Sequence, residues 1–153
     1  MGIDKFEFVE RVLQRWRDNG ISFLPGVDES ELVSLEERYG VRLPDDMRAF
    51  YRATNGTHGP QNSSGTDERD IEFWPVEDIK PLVRQQPKVL DFADYMFAEH
   101  TFGIDLDETS KNFGTVYGGG HIMARSFSEF MDMYVAGDER LIYTHLGERP
   151  NWK

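Results

Sequence analysis

Apolar positions recur along the first segment at helical spacing. Phe6, Val9, Leu13 and Trp16 follow one another at intervals of 3, 4 and 3, one stripe of a helix, and Phe8 and Val12 widen it. Asp4 stands where a cap is wanted, and Asn19-Gly20 where the helix should stop. Trp16 lies within the stripe, so core packing explains it better than a ligand platform. A second stripe, Leu32, Leu35 and Tyr39, predicts a helix over about 29–39. Asp28 and Glu31 have capping-box spacing before it, and Gly40 sits where a left-handed residue is wanted after it. A third helix is predicted within LPDDMRAFYRATNG, residues 43–56. Pro44 suits its first turn, and Asp45 and Asp46 complement the positive end of the dipole. Met47, Phe50 and Tyr51 form its apolar stripe, Arg48 and Arg52 lie four apart on another face, and Asn55-Gly56 should end it because both tolerate positive φ.

The period then changes. Residues 57–69 contain no large apolar side chain and read as loop. IEFW, residues 71–74, alternates around Glu72 and reads as a strand closed by Pro75. VEDIKPLVRQQ has room for a turn of helix, limited by Pro81. From 88 to 124 the pieces KVLDFADYMF, HTFGIDL and GTVYGGGHIMA are β-branched and aromatic, punctuated by Gly103, Gly114 and Gly118–Gly120. Their links are too short for parallel crossovers, so they predict an antiparallel meander. SFSEFMDMYVAG returns to helix: Ser126 and Glu129 form a capping box, Phe127, Phe130, Met131, Tyr134 and Val135 share a face, and Gly137 closes it. The tail, ERLIYTHLGERPNWK, has one short apolar stretch and no assignable role. With no repeat and no linker, residues 1–153 read as a single domain. Segregated helices and strands predict an α+β fold: N-terminal helices, a mostly antiparallel central sheet, and a C-terminal helix packed on it.

Composition narrows the class. A chain of 153 residues that is 39% hydrophobic and 13% aromatic can bury a real core and is not disordered. It has no cysteine, which excludes disulfides and thiolate metal sites and fits a reducing compartment. No apolar run approaches the roughly 20 residues needed to span a bilayer. The N-terminal MGIDKFEFVERVLQRW mixes acids with apolar residues, unlike a secretion signal, and Phe6 stands where a myristoylation motif has Ser or Thr. The expectation is a soluble cytoplasmic protein.

The net charge of −11 is unevenly placed. Residues 57–109 hold 12 acidic against 4 basic groups, whereas 110–153 are balanced. Such a field repels nucleic acid and anionic membrane and attracts cationic partners. Solubility alone is the plainer explanation of an acidic chain, and the clustering is what raises the partner reading.

Catalytic signatures are missing from the sequence. No pair among His58, His100, His121 and His145 is spaced i, i+4, and there is no H-E-x-x-H, G-x-S-x-G or Walker motif. YGGGH at 117–121 reads as a tight turn or bulge. Asp91 with Asp94, or Asp105 with Asp107, have the spacing to pair for acid–base work or for a divalent ion. DLDET at 105–109 opens like a calcium loop but lacks its glycine and terminal Glu, and a solvated acidic loop is the simpler account. No catalytic, cofactor-binding or metal-binding residue is assigned.

Taken together, the punctuated pieces carry more than any one of them. L-x-x-L-E-x-x-Y-G leads into V-R-L-P-D-D-M-R-A-F-Y and T-N-G; then come I-E-F-W-P-V-E-D-I, F-A-D-Y and G-I-D-L, and finally I-x-A-x-S-F-S-E-F-M. In order and spacing this resembles the SUKH superfamily, the Smi/Knr-type domain named from a yeast cell-wall-synthesis regulator, over about residues 28–136. The resemblance implies an α+β domain that binds rather than catalyses. Bacterial members are mostly immunity proteins that neutralise polymorphic toxins, many of them nucleases, and eukaryotic members look like regulatory interaction domains. Leu43, Pro44, Asn55, Gly56, Trp74, Pro75, Ser126 and Phe130 match motif positions that read physically as scaffold.

The expected partner is therefore a basic toxin domain, blocked by occlusion. Asp67, Glu68, Asp70, Glu72, Glu77 and Asp78 are the candidate acidic contacts, with Trp74 or Tyr95 as aromatic anchor. Two alternatives stand beside this: a regulatory or scaffolding domain with a cellular partner, and a metal-dependent enzyme using Asp and His residues of the 91–121 region.

Overall fold

A computed structural model describes residues 6–57, 71–95 and 100–144. Three helices come first: α1 (Glu7–Asp18), α2 (Glu29–Tyr39) and α3 (Asp45–Ala53). Five strands follow, β1 (Ile71–Phe73), β2 (Val89–Tyr95), β3 (His100–Asp105), β4 (Val116–Gly118) and β5 (His121–Ala124), and then α4 (Phe127–Ala136). The sheet order is β1-β2-β3-β4-β5 with every pair antiparallel, the meander the spacing predicts. The α+β class is as expected.

The local signals act largely as read. Asp28 accepts from the backbone N–H of Glu31, Ser126 Oγ from that of Glu129, and Gly40 and Gly137 close α2 and α4 at φ 63° and 76°. Asp4 lies outside the described residues. Three details differ. Pro44 is the capping residue, extended at ψ 155°, and the helix proper begins at Asp45. The strand in IEFW stops at Phe73, and residues after Pro75 make one turn of 3-10 helix, Val76–Asp78. Asn55-Gly56 stands just past the end of α3: Thr54 ends the helix in extended backbone, and Gly56 takes φ 94°. A Cβ at Gly56 would also collide with the Phe73 carbonyl oxygen, so close approach requires glycine there as well. Asn55 serves a different purpose. Its Oδ1 accepts from Val76 N–H at 2.8 Å and its Nδ2 donates to Glu77, clasping the end of α3 to the 3-10 turn.

The core lies between helices and sheet and is dominated by aromatic rings. Phe92 and Phe102 of the sheet meet Phe127 and Phe130 of α4 at 5.1–5.4 Å between centroids, and Phe73 meets Tyr134 at 4.9 Å. Trp16 is fully buried, and its indole N–H donates to Tyr134 Oη at 2.9 Å. The tail, assigned no role from sequence, turns back in a 3-10 helix at Glu139–Leu141 and buries Leu141 completely. Among the described residues no helix is long and apolar enough to cross a membrane.

Candidate functional site

The segment singled out from sequence is divided by the fold. Asp67, Glu68 and Asp70 lie outside the described residues. Glu72 is half-buried on β1, an edge strand, opposite Asp94 of β2. Trp74 is only 9% exposed, and its indole N–H donates to Asp94 Oδ2 at 3.1 Å. With Asp78, Lys80 and Asp94 it lines a depression of about 200 Å³. Glu77 faces a separate depression of about 180 Å³ beside α2, with Ser30, Ser34 and Arg38. Tyr95 pairs in register with Ile71, packs against the core and stacks on His100 at 5.0 Å, whereas Glu72 and Trp74 belong to the other side of the sheet. No one surface therefore holds both predicted aromatic anchors.

The side of the sheet turned away from the helices is assembled by an irregularity in β2. Asp91 pairs with Gly103 and Ala93 with Phe102, so Phe92 is an extra residue, a β-bulge. In a regular strand Asp91 and Asp94, three apart, would point to opposite faces. The bulge turns both Phe92 and Ala93 inward and leaves both aspartates on the outer face. Their neighbours there include Glu72 on β1, Thr101 and Asp105 on β3, and Tyr117 on β4.

The carboxylates on this face have distinct employments. Asp94 accepts from Trp74. Asp105 accepts from Asp107 N–H at 2.9 Å and from Ser110 Oγ at 2.7 Å, and Asp107 accepts from both the N–H and the hydroxyl of Thr109. These bonds wind the 106–114 loop into turns, and those from Thr109 hold the Asp107 carboxyl below its usual range. Asp91 is different. It is 6% exposed, accepts one bond from the Thr101 hydroxyl, and burial pushes its carboxyl up. The paired carboxylates considered from sequence thus share a face but engage different partners. Among the described residues, no three His, Asp or Glu side chains group to hold a metal ion.

Two hollows open on this face under the 83–88 segment. One, about 460 Å³, is lined by Val83, Val89, Asp91, Thr101, Tyr117 and the glycines 103 and 118–120, among others. The other, about 450 Å³, holds Lys88 and Lys111 with Asp105 and Asp107. Gln86, Val89 and Tyr117 line both, so the hollows adjoin. Burial first, and then the charge of Asp105, push the Tyr117 phenol up.

The profile of the SMI1 / KNR4 family (SUKH-1) matches residues 26–133, from the end of the first connecting loop to the middle of α4. The chain belongs to this family. SUKH-1 covers immunity proteins as well as Smi1/Knr4-type regulators. No curated protein matches the chain. The positions carrying the SUKH resemblance are structural here: Leu43 and Phe130 are buried, Asn55 and Gly56 make the clasp, and Ser126 caps α4. Sequence reasoning passed over the outer-face hollows. The available signal was D-F-A-D: two acids three apart in an otherwise apolar strand require either a bulge or a buried charge.

Proposed function

We propose that this SUKH-1 chain is a cytoplasmic immunity protein, a single domain that neutralises a toxin by binding and covering its working surface, without chemistry of its own. The observation that carries the reading is the concentration of acidic groups in the middle third within a family that includes immunity proteins. Glu72 and Asp107 on or beside the outer sheet face, and Glu77 and Asp78 at its margin, suit a basic surface such as a nuclease's substrate site, and the buried Asp91, Asp94 and Asp105 add to the field behind them. Asp67, Glu68 and Asp70 extend the same charge in sequence. Trp74 and Tyr95, as anchors, would serve different sides of the sheet.

The test is co-expression with a toxin encoded beside the gene. Growth restored by this chain, and not by an unrelated SUKH-1 chain at equal level, is the expected outcome; killing at full strength despite stable expression overturns it. The family's regulators supply the second reading, a scaffolding domain with a cellular partner. It predicts no rescue, and recovery of a host protein from the same cells.

A further inference from the structure

Asp91, Gly103 and Tyr117 stand side by side across three strands. Gly103 carries no side chain, and the space over it is taken up from one side by the Asp91 carboxylate and Val89. A Cβ at Gly103 would stand 2.5 Å from Asp91 Oδ1, so that oxygen lies over the glycine. Oδ2 accepts from Thr101. An aspartate as buried as Asp91 is normally paired with a cation. Here the influences on Asp91 are burial and the Thr101 hydroxyl, with no cationic partner among the described residues. The hollow's lining includes no Lys or Arg, and its histidine, His100, has Nε2 at the Leu141 carbonyl; the lysines of the adjoining hollow accompany Asp105 and Asp107.

We propose that this hollow seats a lysine side chain of the protein partner, with its ammonium on Asp91 Oδ1, its stem along Val83 and Val89, and Tyr117 as the flanking ring. Charge complementarity selects a cation. One carboxylate oxygen is already taken by Thr101, which disfavours the two-pronged grip of a guanidinium and suits the point charge of an ammonium. The aromatic ring adds attraction for a cation. The half-exposed Val83, on the loop above the sheet, supplies apolar surface for the four-carbon stem. The inference takes from the preceding section only that a protein is bound; it does not require that protein to be a toxin.

The probe is a capped peptide, Ac-Gly-Gly-Lys-Gly-Gly-NH2, titrated into the 15N-labelled full chain at moderate salt, with the Gln peptide as neutral control. Expected are shifts centred on Thr101, Gly103 and Gly118–Gly120 with a Kd of about 1 mM, at least about tenfold tighter than the Gln peptide. Asp91→Asn, which keeps shape and the Thr101 bond, should lose about tenfold. Tyr117→Leu should lose about threefold. Equal response to the Lys and Gln peptides overturns the proposal. So does unchanged Lys binding in Asp91→Asn, which would mean diffuse pairing with surface acids. The spectra themselves report whether each variant is folded. Because no toxin is present, selective peptide binding without growth rescue would sink the immunity reading and leave this site standing. Rescue retained in Asp91→Asn, with no peptide selectivity, would do the reverse.

Discussion

Asp91 is held where its charge opposes folding. Burial raises its carboxyl above the ordinary value of 3.8, so the native chain keeps this proton to higher pH than the unfolded chain does. The stability from that proton is fully present below the unfolded pKa and is lost as pH rises through the raised native one. Asp91→Asn removes the ionisation but preserves an acceptor for Thr101. Urea unfolding at steps from pH 4 to 7 should therefore show the variant gaining on the parent as pH rises, and more stable at pH 7. A variant less stable at every pH would mean the carboxylate is a structural necessity. Asn55 teaches the complementary lesson. Its identity as a turn residue is legible, but its hydrogen bonds to Val76 and Glu77 join positions more than twenty apart, and no local rule encodes them.

At the scale of elements, the helix signals are self-sufficient because caps are satisfied within a turn. Ser126 accepts from Glu129 N–H, but Glu129 Oε1 accepts from Arg125 N–H at 2.7 Å, one residue before the cap, so only half of the box the spacing predicts is closed. Ser126→Ala should cost about 1 kcal/mol in urea unfolding, and Ser126→Gly much less. A loss near zero for Ala would mean that other contacts fix the start of α4. Asp46 is one such contact, since its Oδ2 accepts from Ser128 N–H at 2.9 Å and couples the starts of α3 and α4. From sequence, the acids in the first turn of α3 are legible only as dipole partners; this bridge spans 82 positions and needs the fold to appear. The strands are legible as a meander, but the bulge at Phe92 is not. A bulge is a choice between two registers, and it is settled by which side chains the facing core of Phe102, Phe127 and Phe130 accepts.

At the scale of the whole molecule, the acidic excess bears on association more than on folding. Reversing Asp67, Glu68 and Asp70 to Lys removes three negative charges and adds three positive ones. Association with a basic partner should then slow at least about tenfold at low salt, the gap narrowing as salt screens the field. Stopped-flow rates at two ionic strengths check it; equal rates would move the contact elsewhere, the outer sheet face being the next place. The sequence by itself determined the family, the α+β class, the order of helices and strands, and the caps and stops of α2 and α4, because periodicity and capping act over a few residues. Only the tertiary structure decided which acids stand together. The bulge sets Asp91 and Asp94 on one face, the sheet separates Tyr95 from Trp74, and Gly103 makes room for the Asp91 carboxylate beside Tyr117. These are matters of register between distant strands, and register is set by the packed core, not by the local chain.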